Sequence, residues 1–266
     1  MNKIVYATPW YDCCLRCNHC EIVTRKAEYN SINFLATLLE LEVDEDDIVV
    51  FFGGEPLVHM KDMWEILKTG KITCISTNLL LYEDGLGEVL KNADLSVATS
   101  WNPTRFTKEQ YDKWIENVWK VRQAKVDTKV LITLTPDLFA MQMEDILSVF
   151  ERIEGVGVEK FEFEPYIGSK EYHKEADDFL CRFHDAYKGK MENHTTRKLY
   201  DWNCNCSNVF TIYPSGEMKR GCPMYKGINI VEDCLQCGIA YMCRPCPLLK
   251  ECSYPKKYAK KLGIIR

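Results

Sequence analysis

Ile48-Val49-Val50-Phe51-Phe52-Gly53-Gly54-Glu55-Pro56 is the stretch on which the fold turns. Its five apolar residues, β-branched then aromatic, make a run of strand length, as expected for a parallel strand buried on both faces. The run stops abruptly at Gly53-Gly54-Glu55-Pro56, where paired glycines permit a tight turn or the close approach of a ligand to the backbone. Leu57 to Thr69 then has helical spacing, and Gly70 is a good C-terminal stop. Strand, glycine turn and helix together make one unit of an α/β fold.

The same unit recurs on either side. Upstream, a short apolar run, Ile4 to Trp10, precedes a cysteine-rich loop, a polar helical stretch from about Asn30 to Glu42 and an acidic turn, Asp44 to Asp47. Downstream, strand-like runs at Lys71–Ser76, Leu95–Thr99, Val130–Leu134 and Val158–Phe163 alternate with helical ones at Glu83–Lys91, Thr107–Ala124 and Met141–Ile153. Thr107 is a plausible N-cap for the longest of these. Six strands in regular alternation with helices predict a parallel sheet with right-handed crossovers. The expected fold class is α/β: a partial (β/α)6 parallel barrel over residues 1–169, short of a full eightfold barrel, with an open flavodoxin-like sheet as the competitor. A connecting segment (170–200), a small cysteine-rich C-terminal domain (201–255) and a basic tail (256–266) complete the expected organisation.

Composition narrows the function classes. The chain has 266 residues, 46% hydrophobic and 27% charged, as in ordinary soluble domains. A net charge of -5 gives no reason to expect nucleic acid. No apolar run reaches the length of a membrane span, and Met1 to Trp10 lacks signal-peptide architecture, so the expectation is a cytoplasmic protein without a membrane partner. In a reducing compartment its fourteen cysteines read as metal ligands rather than disulfides.

In α/β folds the reactive groups gather at the carboxyl ends of the strands. There the sequence offers Cys13-Cys14-Leu15-Arg16-Cys17-Asn18-His19-Cys20, then Gly53-Gly54-Glu55, Ser76-Thr77-Asn78, Ser100-Trp101-Asn102 and Thr133 to Thr135. Cys13, Cys17 and Cys20 have the spacing C-x3-C-x2-C. Three thiolates on so short a loop suit a [4Fe–4S] cube with one iron left open, or a zinc site completed by His19 or Cys14. Glu55 can accept from an amine, and Ser76, Asn78, Ser100 and Thr133 can hydrogen-bond a carboxylate or ribose hydroxyls. Trp101 reads as a packed aromatic. Near the C-terminus, Val209 to Lys219 reads as a β-hairpin turning at Pro214-Ser215-Gly216. Around it stand Cys204, Cys206, Cys222, Cys234, Cys237, Cys243, Cys246 and Cys252, enough for two four-thiolate sites of zinc or iron–sulfur.

The combination resembles the radical SAM superfamily. Cys13, Cys17 and Cys20 match its C-x3-C-x2-C loop after the first strand, and Gly53, Gly54 and Glu55 match its GGE motif after the second. The resemblance implies a [4Fe–4S] cluster at the three cysteines whose open iron is chelated by S-adenosylmethionine. Reductive cleavage of that cofactor would give a 5′-deoxyadenosyl radical. The same resemblance places Glu55 at the methionine amine, Gly53 and Gly54 beside it, and His19 near the adenine, where the family has an aromatic residue. Ser76, Asn78, Ser100 and Thr133 would lie around the carboxylate and ribose.

The C-terminal region resembles the SPASM domain, an auxiliary-cluster extension of many such enzymes. By position, Cys204, Cys206, Cys222 and Cys246 would hold one auxiliary [4Fe–4S] cluster, and Cys234, Cys237, Cys243 and Cys252 a second. Five residues rather than the family's four separate Gly216 from Cys222, and two rather than three separate Cys243 from Cys246. SPASM enzymes act on peptides or proteins, so the expected activity is radical crosslinking, oxidation or epimerisation of such a substrate, most often a ribosomal precursor peptide. Partners would be that substrate, an electron donor such as flavodoxin or ferredoxin, and a separate leader-peptide-binding protein, since the first strand starts at once. The alternatives are a radical SAM enzyme for a small molecule or nucleotide, and a zinc-binding interaction module.

Overall fold

The structure is a computed structural model that describes residues 3–17, 20, 22, 25–165, 173–195, 209–220 and 261. In chain order its elements are β1 (Ile4–Ala7), α1 (Ser31–Glu40), β2 (Ile48–Phe51), α2 (Met60–Leu67), β3 (Cys74–Thr77), α3 (Leu86–Asn92), β4 (Ser96–Trp101) and α4 (Lys108–Gln123). β5 (Thr128–Leu134), α5 (Pro136–Ala140), α6 (Met143–Gly155), β6 (Lys160–Pro165), α7 (His173–Ala186), β7 (Glu192–Asn193), β8 (Val209–Ile212) and β9 (Met218–Arg220) follow. His19, the eight cysteines from Cys204 to Cys252, the two ends of the connecting segment and all of the basic tail but Lys261 lie outside the described residues.

The strands form one sheet in the order β7-β6-β5-β4-β3-β2-β1-β8-β9. β1 to β6 are parallel and lie in sequence order, each paired with the next. A doubly wound sheet reverses its strand order at a switch point; this one does not. Unbroken sequence order, with the right-handed crossovers that are the general rule, is the winding of a β/α barrel rather than of the flavodoxin-like competitor.

One-sided winding corrects a detail of the sequence reading. β2 is not buried on both faces: Val49 and Phe51 are fully buried, Ile48 is exposed, and Val50 and Phe52 are half-buried. β5 shows the same alternation, with Thr128, Val130, Ile132 and Leu134 buried and Lys129, Leu131 and Thr133 half-buried. The buried set packs on helices. Trp114 of α4 is fully buried and donates from its indole N–H to Thr99 Oγ1 at 2.9 Å. Phe150 of α6 lies 4.9 Å from Phe161 of β6 and 4.7 Å from Phe183 of α7, centroid to centroid. These edge-on and tilted pairs tie the last helix to the sheet. The second face carries Tyr6, Val50, Phe52, Ser76, Ser100, Lys129, Leu131, Thr133 and Glu164, none of them fully buried, together with Ala98 and Glu162, which are.

Three helix N-termini are capped by their own side chains. Thr107 caps α4 in a reciprocal box with Gln110. Asn30 caps α1 through Asn33 N–H at 3.1 Å. Thr135 caps α5, a short helix absent from the sequence reading. The hairpin forms where expected, with Gly216 at φ +85° in the turn. Its location is new: β8 runs parallel to β1, from Ile4 opposite Val209 to Ala7 opposite Ile212. A Cβ on Gly216 would fall 2.6 Å from Asn33 C, so only glycine lets the turn lie under α1. Cys181 packs in the core of α7, as its apolar helical position suggests.

Candidate metal and cofactor site

The loop after β1 and the loop after β2 form a single structure. Gly54 N–H donates to Trp10 O (3.1 Å), Glu55 N–H to Asp12 O (2.7 Å), and the Trp10 indole N–H returns to Glu55 O at 2.8 Å. The glycines are required by this contact. A Cβ on Gly54 would stand 2.1 Å from Asp12 O and 2.3 Å from Tyr11 O, and one on Gly53 2.5 Å from Trp10 O. Gly53 also has φ +152°. The close approach that paired glycine permits is therefore made by the cysteine loop's own backbone. The three-bond contact fixes where that loop starts.

Glu55 is 1% exposed. Its Oε1 accepts from Leu57 N–H (3.1 Å) and Thr77 Oγ1 (2.5 Å), and its Oε2 from Asn78 N–H (2.7 Å). A carboxylate has about four acceptor positions, so three donors leave one, on Oε2. Burial pushes this carboxyl up to about 7 from 4.5, against the pull of Thr77, Asn78 and Leu57. An approaching cation, such as a primary amine, would reverse that shift.

The sign of the pH effect follows. Below about pH 4.5 the carboxyl is protonated folded or unfolded; between 4.5 and about 7 the folded state holds a proton the unfolded chain has released. Stability therefore falls as pH rises through that window. Glu55→Gln removes the effect. The stability difference between wild type and variant should change by about 3 kcal/mol across it, measured by urea unfolding of the unloaded proteins at pH 4.5 and 7.5.

Cys13, Cys17 and Cys20 follow directly. All three are half-buried, and Cys14 is exposed. Cys20 N–H donates to Cys17 O at 3.0 Å, and Leu15 N–H to Cys13 Sγ at 3.4 Å. Asn78, at the end of β3, turns its amide towards this loop, with Nδ2 3.4 Å from Cys14 Sγ and 3.9 Å from Cys13 Sγ. The Cys13 thiol, hydrogen-bonded to Cys14 and half-buried, is pushed above the usual thiol range, while Cys14 is lowered to about 6 by that bond. Burial raises Cys17, with Arg105 pulling the other way. Metal binding here would release protons.

Among the described residues no three His, Cys, Asp or Glu side chains are arranged around one point to hold a metal ion. The donor set nonetheless has the chemistry of an iron–sulfur site, three soft sulfurs on one loop. Ser76, Ser100 and Thr133 lie on the second face at the carboxyl ends of β3, β4 and β5, in adjoining strands. Asn78 is directed to the thiols, and Trp101 is buried in the core.

Four residues take part in ways the sequence reading did not assign. Thr77 supplies the short bond to Glu55. Trp10 joins the two loops. Asn102 donates to Thr133 O (2.9 Å) and accepts from Thr135 Oγ1 (2.9 Å), bracing the ends of β4 and β5. The charge of Arg105 pulls Cys14 and Cys17 downward. A signal for the last existed: it is the only basic residue between the end of β4 and the Thr107 cap.

No protein-family model matches the chain, and no curated protein matches it. Solved structures do. The chain resembles the crystal structure of Streptococcus suis SuiB with a TM-score of 0.63 at 15% identity, covering 97% of this chain and 76% of that one. SuiB bound to S-adenosylmethionine matches with a TM-score of 0.60 at 12% identity, covering 97% and 66%. SuiB bound to precursor peptide SuiA matches at 0.59 and 13%, covering 97% and 75%. At these identities the likeness is one of fold. No helix among the described residues is long and apolar enough to cross a membrane.

Proposed function

We propose that this chain is a radical S-adenosylmethionine enzyme that modifies a peptide or protein substrate, and that its singly wound sheet is the wall of a partial (β/α)6 barrel. The observation that carries the reading is the three-bond union of the cysteine loop with Gly53-Gly54-Glu55. It joins the loop that carries Cys13, Cys17 and Cys20 to the strand end that carries Glu55, a buried carboxylate with one acceptor position left. Cys13, Cys17 and Cys20 would hold a [4Fe–4S] cluster. With S-adenosylmethionine on its open iron, such a cluster supplies a carbon-centred radical by reductive cleavage of the cofactor.

The chain's own share is binding and exclusion. Glu55 orients an amine through its remaining Oε2 position while Thr77 and Asn78 hold the carboxylate still. Ser76, Ser100 and Thr133 offer hydroxyls to carboxylate or ribose oxygens along three adjoining strands. The half-buried second face, apolar at Tyr6 and Phe52 and charged at Lys129 and Glu164, is the surface on which a peptide would lie. What supports the substrate class is the fold shared with SuiB, which has been seen with S-adenosylmethionine and with a precursor peptide.

Cys204, Cys206, Cys222 and Cys246, with Cys234, Cys237, Cys243 and Cys252, would hold two auxiliary clusters; between Cys206 and Cys222 in the chain, β8 pairs with β1. Anaerobic purification tests the assignment. Three clusters give a brown protein with about twelve irons per chain; a colourless protein with stoichiometric zinc would sink it.

A further inference from the structure

We propose that Asn117 of α4 is a positioning residue for Glu55: it clamps a strained turn, Asn78-Leu79-Leu80, and through that turn holds the two donors that aim the buried carboxylate. Its bearing on the cofactor rests on the reading of Glu55 as the acceptor of an amine. The turn begins where β3 ends. Leu79 is fully buried and has φ +55°, in the left-handed region that a residue with a side chain occupies only at a cost. Such a conformation persists where its surroundings over-determine it. Here hydrogen bonds do so on both sides of the residue. Leu79 N–H donates to Thr77 Oγ1 at 3.0 Å, and Leu80 N–H to Asn78 Oδ1 at 2.9 Å. Leu79 O accepts from Asn117 Nδ2 at 2.7 Å.

The last bond comes from another element, 38 residues further along the chain. Asn117 is 3% exposed and shares the buried face of α4 with Trp114, Val118 and Val121. A buried amide is costly unless it is hydrogen-bonded, and packing alone would favour an apolar residue on that face. The turn's other bonds run to Glu55. Thr77 Oγ1, which accepts from Leu79 N–H, donates to Glu55 Oε1 at 2.5 Å, and Asn78 N–H donates to Oε2 at 2.7 Å. One strained turn therefore links a helix amide to both oxygens of the carboxylate. If Leu79 relaxed to a negative φ, the chain beyond it would swing away and withdraw Leu80 N–H from Asn78 Oδ1. Thr77 and Asn78 would then lose the brace that keeps their donors on Glu55.

The first measurements use the full chain without cofactor. Asn117→Leu keeps most of the side-chain volume and removes the donor; Asn117→Ala is the second variant. Val118→Ala, the next buried position of the helix, controls for lost packing. In both Asn117 variants the Leu80 amide should exchange its hydrogen about tenfold faster relative to the amides of β4. The fall in stability that Glu55→Gln abolishes ends near pH 7 in the wild type. With its donors loosened the ionised carboxylate is less well met, so that fall should extend to higher pH in both Asn117 variants and not in Val118→Ala. In the reconstituted protein, Asn117→Leu should weaken the Kd for S-adenosylmethionine roughly tenfold or more at unchanged iron content. An unaltered pH window in both Asn117 variants would overturn the proposal, leaving Asn117 a brace of the turn alone; so would an unchanged Kd. A reconstituted wild type that binds no S-adenosylmethionine would overturn the parent reading instead, while the pH window would still decide whether Asn117 aims Glu55.

Discussion

Cys17→Ala should lose about four irons per chain and all reductive cleavage of S-adenosylmethionine, while the remaining iron stays bound. Cys17 is the middle ligand of the proposed triad, and its backbone carbonyl already ties it to Cys20. With only two thiolates left, the loop cannot hold a cube whose fourth iron must stay open. Cys14→Ser gives the contrast. Cys14 is exposed and would ligate only in the zinc alternative, so the iron count should hold. Iron and sulfide assays with chromatographic detection of 5′-deoxyadenosine read both variants. Cleavage that survives Cys17→Ala would move the cluster elsewhere.

Gly54→Ala should destabilise the protein by at least ~3 kcal/mol and prevent loading of the same cluster, although Gly54 touches no metal. Overpacking a well-packed site costs roughly 1–3 kcal/mol where side chains can yield. Here the obstacles are the backbone carbonyls of Tyr11 and Asp12, at 2.3 and 2.1 Å from the new methyl. They cannot yield without displacing Cys13. Gly155→Ala is the control, because nothing lies within 4 Å of its Cβ position and its backbone is helical. It should be neutral or stabilising by up to ~1 kcal/mol. Urea unfolding and iron content should fail together in Gly54→Ala; normal loading in a destabilised variant would separate the two loops.

The sequence made the strand-helix alternation and the residues of the site legible because both are local. Val49 and Phe51 announce a strand by side-chain type, and Gly53-Gly54-Glu55 announces its end. Thr107 and Gln110 write their capping box within one turn. Cys13, Cys17 and Cys20 are one loop whatever surrounds them. What the sequence did not show depends on residues far apart in the chain. That Val209–Ile212 would pair with Ile4–Ala7 requires two segments some two hundred positions apart to meet, and nothing in either names its partner. The burial of β2 on one face follows from the direction of winding, which no single strand records. The reason for the two glycines was hidden likewise, since Asp12 O must first be brought to them. The sequence places Thr77 at a strand end, but its bond to Glu55 exists only once β2 and β3 lie side by side.

The most direct test is to incubate the anaerobically reconstituted protein with S-adenosylmethionine and a one-electron reductant, and to quantify methionine and 5′-deoxyadenosine. Both should form together in wild type and disappear in Cys17→Ala. Full iron loading without either product would contradict the assignment of Cys13, Cys17, Cys20 and Glu55 to that chemistry.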